Sequence, residues 1–265
     1  GQDLANRERA RLGLGDGPIP KLRDLLDADV GIRTFVLPLP AGVAGLYIYS
    51  DSHGPCVAVN ADHPHERQRW SFAHEYAHFL TSRGKSEVTM LKHTRIPAEE
   101  KMADAFAGAF LMPRSRLTKR VQDIQRERQA ISPADLLTLA AYFDMSFQAV
   151  ALSMEDARLL PSGTLDRLLA QGFRPDEGRD LLKLGTAEPD KGLLPPRYER
   201  LAARAYWAGD LSEGDLARFL HLDRVAARKR VEELGRGLTS NQAENQDALE
   251  MGAIADFDLL ARRGK

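Results

Sequence analysis

The stretch RWSFAHEYAHFL, residues 69–80, sets two histidines four positions apart with a glutamate directly after the first. Phe72, Ala73, Tyr76, Ala77 and Leu80 recur at helical spacing, which predicts a helix over 64–83 with Gly84 as its C-cap. A helix turns ~100° per residue, so His74 and His78 lie on one face, a turn apart. Two imidazole nitrogens placed this way suit one tetrahedral metal. Glu75 is offset from both and can take a proton from a water beside the ion. Both histidines are in register with Ala77 and Leu80, which predicts that they face inward, and the small Ala73 and Ala77 let another helix pack closely. The alternative is an ordinary amphipathic helix with two solvated histidines. With seven histidines in 265 residues, a chance H-E-x-x-H arises on the order of once in a hundred such chains, so the metal site is the stronger reading.

A catalytic zinc needs a third protein ligand and an open position. The next helical pattern, TRIPAEEKMADAFAGAFLMP (94–113), opens at Pro97, stops at Pro113 and carries Glu100 and Asp104 on one face. Glu100 follows His78 by 22 positions (100 − 78), room for a turn and an antiparallel return. Glu99 competes as the ligand. Glu100 is preferred because Ala103, Ala107 and Phe110 share its side. Asp104 can accept a hydrogen bond from the far ring nitrogen of a ligating histidine and fix its orientation.

Around these helices the pattern is mixed. Residues 2–12 and 19–28 read as helices, the second with Pro20 near its start. GIRTFVLPL (31–39), AGLYIYS (44–50) and PCVAVN (55–60) are short β-branched or aromatic runs bounded by turn residues, hence strands of a small sheet, with DSHG (51–54) closing a hairpin. After Asn60 the strand signal fades. Helices follow at 115–129, 132–143 and 146–159, with Ser146 as an N-cap. A loop-like stretch (182–197) leads to helices at 195–208, 211–220 and 223–235, a polar linker (235–246) and a last helix at 247–262. The expected division is a domain at 1–160 and a helical domain at 161–265. The fold class is α+β, mostly helical, with a small sheet beside the metal-binding helix.

Composition narrows the class. The 43% hydrophobic and 28% charged content suits a protein with a real core. The formal net charge of −1 gives no global basic excess for nucleic acid. The single cysteine excludes an intrachain disulfide. No apolar run approaches ~18 residues, and the charged start lacks the apolar stretch of a secretory signal. The expected location is cytoplasmic, with no membrane partner. Cys56 reads as a small buried hydrophobe and Tyr76 as core. His63, His65 and ERQR (66–69) read as a solvated helix start, and His93 as a candidate to line the cleft and donate to an oxyanion. The helix pairs at 132–159 and 211–235 have a helix-turn-helix rhythm. Arg224, Arg228, Lys229 and Arg230 of the second could reach phosphates, and a packed hairpin with a charged outer face explains them equally. Direct DNA binding and oligomeric state stay open.

The order CVAVN, then ERQRWSFAHEYAHFL, then EEKMADAFAGAFLMP resembles the ImmA/IrrE-type metallopeptidases over roughly residues 19–160. In that family a strand ending in Asn precedes an Arg-rich helix start, the H-E-x-x-H helix, and a Glu-bearing helix ending in Leu-Met-Pro. The resemblance implies that His74, His78 and Glu100 bind Zn²⁺ (Mn²⁺ also suits two His and one Glu) and that Glu75 is the general base. It implies a hydrolase, a zinc metalloprotease that cleaves a helix-turn-helix transcriptional repressor and so relieves repression of stress-response or mobile-element genes. Tyr76 and Ala77 stand where the family usually has a small aliphatic pair ending in Gly, and Trp70 replaces a more usual Phe. The region after ~160 resembles the C-terminal extension of longer members, which often carry an upstream helix-turn-helix domain as well. A transcription regulator using the same fold as a metal or ligand sensor, with little proteolysis, is the alternative.

Overall fold

The computed structural model describes residues 1–82, 87–90 (backbone), 97–128, 130–185 and 187–236. Gly84, His93 and the helix expected at 247–262 lie outside them. The chain divides into two compact units, Gly1–Pro196 and Arg197–Lys265.

The first unit opens with α1 (Gln2–Arg11) and a short α2 (Leu22–Leu25), which continues into a π-helical turn, Leu26–Val30. Gly31 at φ 84° then turns the chain into β1 (Arg33–Leu37), a left-handed conformation that glycine adopts without penalty. Next come β2 (Val43–Ser50) and β3 (Gly54–Asn60), paired antiparallel as the expected hairpin, with Ser50 opposite Gly54. β1 runs parallel to β3. A fourth strand, β4 (Glu87–Met90), adds antiparallel to β2, giving the mixed order β1-β3-β2-β4. That strand goes beyond the sequence reading, in which strands ended at Asn60.

One face of the sheet carries α3 (His65–Thr81), and α4 (Ala98–Leu111) packs on α3. Ala73, Ala77, Ala103 and Ala107 are all fully buried, so the two backbones approach closely. Larger rings fill the space beside them: Tyr76 meets Phe106 and Phe110 edge-on at 5.6 and 5.5 Å, and Phe106 stacks on Phe110 at 5.2 Å. α1 leans on α4, and the buried Arg9 donates to the Phe110 carbonyl and to the carbonyls of Gly15 and Gly17. The Tyr76 hydroxyl donates to the buried Glu8, which also accepts from Arg11, so Tyr76 is core with a polar anchor.

Helices α5 (Arg114–Arg128), α6 (Pro133–Phe143) and α7 (Phe147–Asp156) follow. Ser146 caps α7 through the Ala149 N–H, as the sequence suggests, and Ser132 and Asp135 form a capping box at α6. α8 (Thr164–Ala170) and α9 (Pro175–Leu181) are helices that the sequence reading did not separate out.

The expected boundary at 160 shifts to 196, because 161–196 is bonded to the first unit throughout. Glu155 accepts from the Gly163 and Leu165 N–H groups at 2.8 Å. Arg179 pairs with Glu66 at 2.8 Å, and Arg23 with Asp190 at 2.9 Å. Gln68 accepts from the Asp190 N–H at 2.8 Å, and Arg23 also holds the Leu194 carbonyl at 2.7 Å.

The second unit is helical: α10 (Pro196–Ala208), α11 (Glu213–Leu220) and α12 (224–236), around Ala203, Leu216, Leu220, Ala227 and Val231. His221, at φ 53°, ends α11 in the left-handed conformation and turns the chain toward α12. Among the described residues no single helix is long and apolar enough to cross a membrane.

Candidate metal centre

α3 begins where β3 ends, and Asn60 builds that corner. Its side-chain amide donates to the carbonyls of Leu39 and Val43 at 3.3 and 3.1 Å and accepts from the Asp62 N–H at 3.1 Å. The first turn of α3 is anchored rather than solvated, which corrects the expectation for ERQR and for His65. Arg69 is 5% exposed, donates to the Ile19 carbonyl at 2.8 Å and pairs with Asp144 at 3.1 Å. His65 holds the same carboxylate at 2.8 Å. Burial lowers the pKa of His63, and its Nδ1 is itself buried. Cys56 is partly buried, and burial pushes its thiol up.

With the start of α3 fixed, the helix carries His74 and His78 inward, at 3% and 2% exposure. Glu100, in the first turn of α4, meets both, while Glu99 beside it is exposed. His74 Nε2 is 3.2 Å from Glu100 Oε2, His78 Nε2 is 3.4 Å from Glu100 Oε1, and the two Nε2 atoms are 3.2 Å apart. These separations test the fit to a metal. A tetrahedron with bonds of ~2.0–2.1 Å has edges of ~3.3–3.4 Å, and the two Nε2 atoms and the two Glu100 oxygens, one oxygen beside each nitrogen, are spaced at about that distance. The three residues offer ligand atoms all within 4.8 Å of one another. Two nitrogens and a carboxylate oxygen suit zinc and other first-row divalent ions.

Asp104, one turn along α4 from Glu100, lies 2.9 Å from His74 Nδ1. A carboxylate only accepts, so Nδ1 donates and Nε2 keeps its lone pair for the cluster. Burial is the largest influence on the His74 pKa and lowers it, but the Asp104 hydrogen bond and the charges of Glu75, Asp104 and Glu100 outweigh it. The net shift is upward, so the surroundings favour a positive charge at this imidazole. Glu75 is fully buried and lies against Gly45 of β2, a contact that the sequence reading missed.

Residues 27–155 match the sequence model of the M78 peptidases, described as the IrrE N-terminal-like domain. The chain carries an M78 peptidase domain. This is a family of metallopeptidase type, and its match covers most of the span that carries the resemblance. Within the M78 domain lie the four-stranded sheet, α3 to α7 and the His74–His78–Glu100 cluster. A search of curated proteins gave no match to the chain.

Elsewhere, α12 pairs Arg230 with Glu199 and with Glu233 at 3.4 Å, and Arg228 with Glu213 at 3.7 Å. Arg224 and Lys229 are exposed.

Proposed function

We propose that this protein is a zinc-dependent endopeptidase whose substrate is a helix-turn-helix transcriptional repressor. The observation that carries the catalytic part is the convergence of the His74 and His78 Nε2 atoms, 3.2 Å apart, on the two oxygens of Glu100 at 3.2 and 3.4 Å, beside a buried glutamate. A zinc ion held there supplies Lewis acidity toward the scissile carbonyl and makes water more acidic. Asp104 holds the His74 ring in the tautomer and orientation that ligation needs. Glu75 takes the proton of the attacking water on one carboxylate oxygen and delivers it to the leaving amine nitrogen. Its burial keeps bulk water from competing for that proton and strengthens its interactions with nearby charge.

The substrate class rests on the family resemblance, whose members act on such repressors, and a stress-response or mobile-element switch in the cytoplasm follows from it. A helix-turn-helix repressor encoded near the gene for this chain, incubated with the protein and Zn²⁺, is expected to be cut at one exposed site, and a chelator to stop the cutting. A repressor that stays intact under every metal condition removes this substrate. Glu75→Gln lowers the cleavage rate by at least ~10²-fold while zinc stays bound; a variant that cuts as fast as the parent removes Glu75 from the role.

The second reading, a regulator that senses metal through the same cluster, draws on the α11–α12 pair with Arg224 and Lys229 at its surface. Sequence-specific DNA binding by the full-length protein, with no detectable proteolysis, decides for it.

A further inference from the structure

Gly45 sits in the interior of β2, opposite Val59 of β3 and Thr89 of β4, at an irregularity in the β2–β4 pairing. Glycine weakens a strand interior, so it is kept where a backbone or side chain comes close. Gly45 is not among the glycines with positive φ, which leaves close approach as the reason. A Cβ at Gly45 would lie 2.8 Å from Glu75 Oε1, 3.2 Å from Glu75 Cγ and 3.2 Å from the Ala58 carbonyl oxygen. The closest of these is under any distance that real Cβ atoms show. The Ala58 carbonyl is strand backbone, whereas Glu75 Oε1 is the end of a side chain, so the carboxylate is what would move. Glu75 is fully buried, so it moves within the core.

We propose that Gly45 is a positioning residue: its missing side chain leaves the volume that the Glu75 carboxylate occupies, and so fixes where the general base stands relative to His74 and His78. The proposal rests on the reading of Glu75 as that base. Restoring ordinary contact at 3.4 Å requires a shift of at least 0.6 Å (3.4 − 2.8) if Glu75 alone gives way. A misplacement of about 1 Å in a catalytic group costs on the order of 10²-fold. None of the three atoms nearest the new Cβ belongs to His74, His78 or Glu100, so zinc binding is expected to be preserved.

The test uses Gly45→Ala, Glu75→Asp and the double variant, as zinc-loaded full chains. Gly45→Ala is expected to lower kcat on the cleaved repressor about 10- to 100-fold, with KM, zinc affinity and melting temperature close to the parent. Aspartate is one methylene shorter and vacates the contested volume, so adding Gly45→Ala to Glu75→Asp is expected to cost less than about 3-fold, the non-additivity of residues in contact. Equal losses in both backgrounds overturn the proposal. A crystal structure of Gly45→Ala supplies a readout independent of activity: the Glu75 carboxylate displaced by about half an ångström or more supports the proposal, and an unmoved carboxylate overturns it. If the parent cleaves nothing, the peptidase reading fails, and the crystal structure still decides whether Gly45 holds the room for Glu75.

Discussion

His74 Nδ1 and Asp104 Oδ1 stand 2.9 Å apart, although Asp104 is half exposed and His74 is buried. The contact ties a surface carboxylate to the back of a ring whose front faces Glu100. Asp104→Ala therefore loosens the ring without opening the core. Zinc affinity, followed by competition with a chromophoric chelator, should fall on the order of 10- to 100-fold, with the far-ultraviolet circular dichroism of the parent. An unchanged affinity would show that Asp104 does not orient His74.

Neighbouring glutamates should behave oppositely. Glu100 touches both imidazoles, whereas Glu99 is exposed. Glu100→Ala is expected to abolish stoichiometric zinc binding at micromolar concentrations, and Glu99→Ala to leave it as in the parent. Elemental analysis after gel filtration reads both. The reverse pattern would move the third ligand to Glu99.

Zinc should stabilise the fold, because two buried histidines and a partly buried glutamate from two helices can hold it. Binding to the native state alone adds about 2.7 kcal/mol at a hundredfold excess over Kd. The melting temperature of the apo protein should rise with added zinc, and that of His78→Ala should not. A rise of the same size in His78→Ala would place the stabilising ion elsewhere.

Acid should act through Asp144, which ties α3 to the end of α6. Burial, the largest influence, works to raise its pKa, but the His65 hydrogen bond and the charges of Arg69 and Arg179 outweigh it and hold the carboxyl low. A carboxylate depressed in the folded state stabilises above the ordinary carboxylate range, and that contribution is lost as pH falls through the folded pKa. Asp144→Asn keeps a residue that tolerates the φ of 55° there and removes the charge. It should cost on the order of 1 kcal/mol at pH 5. The gap between the two denaturation midpoints, measured in urea, should close as pH falls below the ordinary carboxylate range. A gap independent of pH would assign the cost to shape rather than charge.

How much of this could be read in the chain follows from how local each signal is. His74 and His78 share a helix, so their spacing alone aligns them, and Ala103, Ala107 and Phe110 on its side of α4 mark Glu100 rather than Glu99. The hairpin of β2 and β3 is short-range and carries its own turn residues. β4 has four residues and no alternation long enough to register, and its existence depends on pairing with a strand about 40 positions earlier. The first turn of α3 looks solvated in sequence because it is charged; its partners, Ile19, Asp144 and Arg179, are remote along the chain. The same applies to 161–196, whose links to Gln68, Arg23 and Glu66 join residues far apart along the chain. Gly45 is an unremarkable strand glycine until β2 is laid under α3.

The central claim is that His74, His78 and Glu100 hold one ion with a coordination position left for water. A crystal structure of the zinc-loaded protein, with anomalous scattering collected at the zinc edge, tests it most directly. One strong peak is expected, bonded to His74 Nε2, His78 Nε2 and a Glu100 oxygen at about 2.0–2.2 Å, with solvent completing the shell near Glu75. A peak elsewhere, or a shell closed by a fourth protein ligand, would contradict it.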